Sequence, residues 1–192
     1  MEKYLPRIKE LYSAMDAAYA DVSSAYDFSC EGCGDNCCTQ RFHHHTLAEY
    51  IYLSEGLSRA DDELIEKILR RARVAVGTYM AEAEAGKILP VMCPVNENGL
   101  CSLYEWRPMI CRMHGLPHSF TKPDGEVVTA GGCEKLNNSV GGISARVDRT
   151  PFYSRLAEIE KGLRTELNFR GRYAKTTAEM LMDIAAAMEN EG

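Results

Sequence analysis

Cys30, Cys33, Cys37 and Cys38 crowd into one short stretch, Cys93, Cys101 and Cys111 form a second array, and Cys133 supplies the eighth thiol of the chain. Two cysteines separated by two residues can turn their sulfurs toward one point, and further thiols nearby can complete a tetrahedral or cluster-type set. Disulfides explain the pattern less well. Adjacent Cys37 and Cys38 are poorly placed to bridge each other, and four thiols in so few residues have little use in stapling loops. The eight cysteines are therefore read as metal ligands. Zinc needs four thiolates, or three and an imidazole, so eight cysteines can fill two zinc sites; an iron–sulfur cluster needs four. Cys30, Cys33 and Cys37 approach a ferredoxin-type run without matching it, and Cys93-Pro94 is like the Cys-Pro that ends such runs. Ligand softness puts a 4Fe-4S cluster first and zinc second, with a structural thiol cluster or another metal as the remaining alternative.

Other side chains could serve the same chemistry. His114 follows Cys111 by three positions, so both can reach one metal from a helical turn. Arg107 and Arg112 flank Cys111 and can offset the negative charge that a four-thiolate centre keeps. The alternative is that Arg107 pairs with Glu105 or Asp148 and Arg112 caps a short helix starting at Pro108. Tyr104 and Trp106 read as a packed lid over the metal region rather than a redox relay. His43, His44 and His45 precede a helix start; in an extended segment His44 faces away from the other two, so they read as a polar approach to the helix rather than a second metal site. Cys38 with His43 gives only a weak case for a thiol nucleophile, since no third orienting residue can be named.

These residues need a frame, and helix signals supply it. Apolar side chains at Leu5, Ile8, Leu11, Met15, Ala18 and Val22 predict a helix over about 3 to 25, with Pro6 in its first turn. Thr46 with Glu49 is a capping box predicting a short helix that ends near Gly56. Ser58 with Asp61 opens a long helix to about Gly86, with the stripe Leu64, Ile65, Ile68, Leu69, Ala72, Val76, Tyr79 and Met80. Thr150 before Pro151, and Thr176 with Glu179, start two more. Between 87 and 149 the pattern breaks into short segments. Residues 118 to 121 and 126 to 129 around the Lys122-Pro123-Asp124-Gly125 turn predict a hairpin, and 137 to 142 a loop. This stretch is expected to depend on metal more than on apolar burial. The expectation is a mainly α fold: a helical scaffold around an irregular cysteine-rich metal-binding region with a small β-hairpin, in one domain over 1 to 192.

Composition narrows the function. The formal net charge of -6 argues against nucleic acid, and the basic run Arg70, Arg71, Arg73 reads as a solvated helix face. The first residues carry charges throughout, so neither a secretory signal nor a membrane span is expected. A cytoplasmic location follows, where reduced thiols can hold metal. No nucleotide-binding loop occurs.

Taken together, Cys30-Glu-Gly-Cys33-Gly-Asp-Asn-Cys37-Cys38, then Cys93-Pro94 and Gly99-Leu-Cys101-Ser-Leu-Tyr104-Glu105-Trp-Arg107-Pro108-Met-Ile-Cys111-Arg112, resemble the CxxCxxCC family of YkgJ-like cysteine cluster proteins, a zinc- or iron-chelating domain. The resemblance spans about 28 to 135 and departs from the family name in the three-residue gap between Cys33 and Cys37, which leaves open which of Cys37 and Cys38 points inward. It implies a bound metal or iron–sulfur centre. Two function classes remain: a metal-binding module that carries, senses or delivers its centre, acting with a protein partner; and an enzyme, by similarity to flagellin lysine N-methylases, in which the cluster is structural. No donor pocket for such an enzyme is recognisable in the sequence, so the module ranks first.

Overall fold

The apolar spacing that predicts the first helix also says which face of it is covered. In the computed structural model, which describes residues 2–26, 37–86, 89, 91–139 and 145–191, a 3-10 turn leads into α1, Leu5–Ala25. Ile8, Leu11, Tyr12 and Met15, spaced three and four apart, are its buried side chains. Pro6 sits in the first turn, where its missing N–H costs no helical bond.

The fold is mainly α with two small sheets, and the chain divides into two compact units, each built from two separate segments. The first comprises Met1–Cys37 with Met109–Arg170. Here α1 packs against α4 (Met109–Met113) and α6 (Thr150–Glu166). The hairpin stands where the turn chemistry puts it, with β3 (His118–Thr121) antiparallel to β4 (Val127–Ala130). A strand that the sequence does not announce, β5 (Val147–Asp148), adds to β3 in parallel. A short helix, α5 (Glu134–Ser139), covers the start of the stretch expected to be a loop, whose residues 140–142 lie outside those described. Thr150 begins α6 rather than capping it; its hydroxyl accepts from Thr121 N–H at 2.9 Å and donates to Asp148 at 2.6 Å.

The second unit comprises Cys38–Pro108 with Gly171–Gly192. It holds α2 (Leu47–Ser58), α3 (Asp62–Ala85), the two-stranded hairpin β1 (Asn96–Glu97) and β2 (Leu100–Cys101), a 3-10 turn at Tyr104–Trp106, and α7 (Thr177–Glu191). The long α3 packs chiefly on α7. Its cap is Asp61, whose carboxylate accepts from Leu64 N–H at 2.8 Å, and Gly86 ends it at φ +63°, a conformation glycine adopts without a Cβ penalty. Ser58 takes no part in that cap; its hydroxyl donates back to Glu55. Ile68, Ala72 and Ala75 face the core, whereas Met80, placed in the stripe by spacing, is 65% exposed.

The helix α2 ends at Ser58, close to Gly56 as expected, but Gly56 lies inside it, where a Cβ would run into the Trp106 side chain. The missing side chain is the socket for the indole, which also meets the Tyr52 ring at 4.9 Å between centroids. The region from 87 to 149 also contributes apolar burial, with Val95, Leu103, Met109, Met113, Leu116, Leu136 and Val147 all buried. Among the described residues, no helix is long and apolar enough to cross a membrane.

Candidate metal centre

In the second unit backbone hydrogen bonds tie Cys38 to Cys93 and lead from Cys93 into the hairpin that carries Cys101. Cys93 N–H donates to the Cys38 carbonyl at 2.9 Å, which ties the segment before α2 to the segment after α3. Cys93 in turn accepts from Asn96 N–H at 2.9 Å, starting the turn into β1. Asn98 and Gly99 both have positive φ, +54° and +89°, which is the geometry of a type I′ two-residue hairpin. That turn sets the register, with Glu97 opposite Leu100 and Asn96 opposite Cys101. Ser102 closes the ladder by donating its N–H to Val95 at 2.8 Å. Cys38 is buried, and Cys93 and Cys101 are half-buried.

The segment carrying Cys38 is anchored on both sides. Arg41 forms an ion pair with Glu82 of α3 at 2.5 Å and lies 4.0 Å over the Tyr79 ring. His44 pairs with Lys175 in a short antiparallel bridge, N–H to carbonyl in both directions at 2.7 and 3.0 Å. The three histidines alternate as an extended segment demands: His43 and His45 are exposed and His44 is 1% exposed. His44 Nε2 stands 3.0 Å from the Thr177 hydroxyl and Nδ1 3.4 Å from Glu49. Burial pushes the Glu49 carboxyl up, but the hydrogen bond and charge of His44, the Thr46 hydroxyl and the His45 N–H outweigh it and hold the carboxyl below its ordinary value. A hydroxyl, an imidazole and a carboxylate in line resemble an acyl-transfer triad, but with Thr177, His44 and Glu49 all buried this arrangement links two helix N-termini instead.

In the first unit Cys111 lies on α4 and His114 follows its last residue. Gly115, at φ +102°, turns the chain, and its carbonyl accepts from Cys133 N–H at 2.9 Å. Gly132 permits that approach, since a Cβ there would lie 2.6 Å from the same carbonyl. Arg112, in the last turn of α4, reaches α1: its guanidinium is 2.5 Å from Asp16 and 4.5 Å over the Tyr12 ring. Arg149, which the sequence does not single out, is buried at the end of α4 and donates to the Met113 carbonyl. Burial and then the Arg149 cation push the His118 imidazole below its ordinary value, which leaves it neutral at neutral pH.

Arg107 stacks 3.6 Å over the Tyr104 ring in the second unit. Tyr104 is 61% exposed, so of the expected lid only Trp106 is packed, into the Gly56 socket. Arg71 departs from the expected solvated face and donates to the Asn96 carbonyl at 2.9 Å, fastening the hairpin to α3.

Cys30 and Cys33 lie outside the described residues. Among the described ones, no three His, Cys, Asp or Glu side chains come close enough together to hold a metal ion, and no disulfide joins any two of the six cysteines. The donor set nonetheless fits a thiophilic metal. Its sulfurs are soft, and Asn96 Nδ2, on the residue opposite Cys101, is a buried donor with no hydrogen-bond partner. Such a donor costs about 1–3 kcal/mol unless an acceptor reaches it. The missed signal was Asn98-Gly99, a strong short-range hairpin dipeptide, which would have placed Asn96 across from Cys101. Compared with known proteins, the chain is matched by no protein-family model, no curated protein and no solved structure. The likeness to the CxxCxxCC family therefore rests on the residue pattern of 30–38 and 93–112 alone.

Proposed function

We propose that this chain is a metal-binding protein whose clustered cysteine thiolates hold a 4Fe-4S iron–sulfur cluster or zinc, serving as a carrier, sensor or redox module, and that it belongs with the CxxCxxCC cysteine cluster proteins. The observation that carries this reading is the backbone linkage of Cys38 to Cys93 and the register of Cys101 opposite Asn96, whose amide has no acceptor. The ligand pool is Cys30, Cys33, Cys37 or Cys38, Cys93, Cys101, Cys111 and Cys133, with His114 as an imidazole donor. When bound, an iron–sulfur cluster supplies one-electron chemistry, whereas zinc supplies a structural cross-link. The chain's own residues do the rest: the hydrogen bond from Cys93 N–H to the Cys38 carbonyl and the Asn98-Gly99 turn order the backbone that carries the thiols, and Arg71 fastens the hairpin to α3. We place the protein in the cytoplasm, where thiols stay reduced.

Anaerobic purification followed by metal and acid-labile sulfide analysis tests the proposal. Stoichiometric metal is expected, with sulfide present for a cluster and absent for zinc. Serine at Cys30, Cys33, Cys101 or Cys111, one at a time, is expected to lower metal content, because a hydroxyl is a poor substitute for soft sulfur. Unchanged metal content across all four would remove the assignment.

A further inference from the structure

We propose that Asn96 is a positioning residue whose side-chain amide donates a hydrogen bond to the metal-bound thiolate of Cys101. The inference rests on the thiolate–metal reading above and names a residue that acts on the metal through its ligand.

The hairpin geometry argues for it first. Because Val95 and Ser102 form a hydrogen-bonded pair in the ladder, the next pair, Asn96 and Cys101, is a non-hydrogen-bonded one. Side chains of such a pair stand on the same face of the ribbon, with their Cβ atoms about 4.5–5.5 Å apart. The Asn96 amide and the Cys101 sulfur are therefore cross-strand neighbours on one face.

The hydrogen-bond accounting of Asn96 argues for it independently. Its backbone N–H goes to the Cys93 carbonyl, and its carbonyl takes Arg71. Its Oδ1 accepts from Gly99 N–H at 3.1 Å, which fixes the orientation of the amide. Only Nδ2 is unused, and it is buried. The turn requires the oxygen alone, and an aspartate would supply that equally well. The nitrogen is explained by an anionic acceptor on the Cys101 side, and a thiolate on metal is such an acceptor; donors of this kind orient ligands and tune the metals they bind.

Cobalt(II) titration of the full-length protein, followed by thiolate-to-cobalt charge-transfer absorption, separates the roles. Asn96→Asp keeps the acceptor for Gly99 and removes the donor, whereas Asn96→Ala removes both. The proposal expects Asn96→Asp to bind cobalt at least about tenfold more weakly than wild type with a shifted charge-transfer band, while its metal-free fold, read by circular dichroism, stays that of the wild type. Asn96→Ala loses both affinity and stability. A purely turn-forming asparagine gives the opposite result, Asn96→Asp matching wild type in affinity and spectrum, and that would overturn the proposal. Absence of charge-transfer absorption in the wild type would instead remove the metal reading and this inference together. A second measurement needs no variant: in the wild type loaded with cadmium-113, the Asn96 side-chain amide protons are expected to show coupling to the metal across the N–H···S bond. If Asn96→Asp does not fold, lack of that coupling overturns the proposal alone.

Discussion

Replacing Glu49 by glutamine tests the buried junction that anchors the Cys38 segment. One Glu49 carboxylate oxygen accepts from His45 N–H at 3.2 Å and from the Thr46 hydroxyl at 2.8 Å, and the other lies 3.4 Å from His44 Nδ1. Glutamine keeps the shape and a carbonyl acceptor but loses the charge. Hydrogen bonds to charged groups contribute about 1.5–3 kcal/mol against about 0.5–1.5 for neutral ones, and a carboxylate in the first helical turn adds about 0.3–1 through the helix dipole. The expected loss at neutral pH is about 2 kcal/mol. The effect must also follow pH. Since the folded Glu49 carboxyl titrates below its ordinary value, its stabilisation is fully present above the unfolded value, about 4.3, and is lost as pH falls through the folded one. The gap between wild type and Glu49→Gln should be full near neutrality and close in the acid range below that unfolded value. Trp106, the single tryptophan, packs on Tyr52 of α2 in the same unit, so urea unfolding followed by its fluorescence reads this stability directly. A gap that stayed constant through the acid range would refute the electrostatic account, and no gap at neutral pH would mean that Glu49 and His44 contribute nothing together.

Three further outcomes follow from the fold. Gly56→Ala drives a Cβ into Trp106 and is expected to destabilise by about 1–3 kcal/mol or more, with the indole emission shifted to the red; an unchanged emission spectrum would contradict the socket. Gly99→Ala, at φ +89°, is expected to cost about 1–2 kcal/mol and to weaken metal binding by loosening the Asn96–Cys101 register. Metal removal is expected to lower hydrogen-exchange protection in 93–102, where ladder bonds are few, and to change it little in α3, which Asp61 caps and which packs chiefly on α7. Equal loss in both would mean that the metal organises the whole unit.

The parts of this structure that were legible in the sequence are local. Thr46 with Glu49 and Thr176 with Glu179 do start helices, because a capping hydroxyl and a glutamate three residues on satisfy donors within one turn. The 118–130 hairpin follows from its turn residues in the same way. What escaped depends on partners far away in sequence. Gly56 looked like a helix stop, and only Trp106, fifty residues on, shows it to be a contact. His44 finds Thr177 across more than a hundred residues, β5 pairs with β3 in parallel through a short and ordinary segment, and the interleaving of two units from four segments leaves no composition signal. For the candidate centre, spacing picks out the cysteine arrays as the residues to consider. It did not identify Asn96, Arg71 or Arg149, because an asparagine or arginine acquires its role only from the burial and the register around it.

X-ray absorption at the metal edge of the anaerobically purified full-length chain tests the central claim most directly, since it counts the atoms bonded to the metal. The account predicts a first shell dominated by sulfur, at about 2.3 Å where the metal is zinc, with iron neighbours in a further shell where it is a cluster. A shell of oxygen and nitrogen alone, or a protein with no metal and eight titratable thiols, would contradict it.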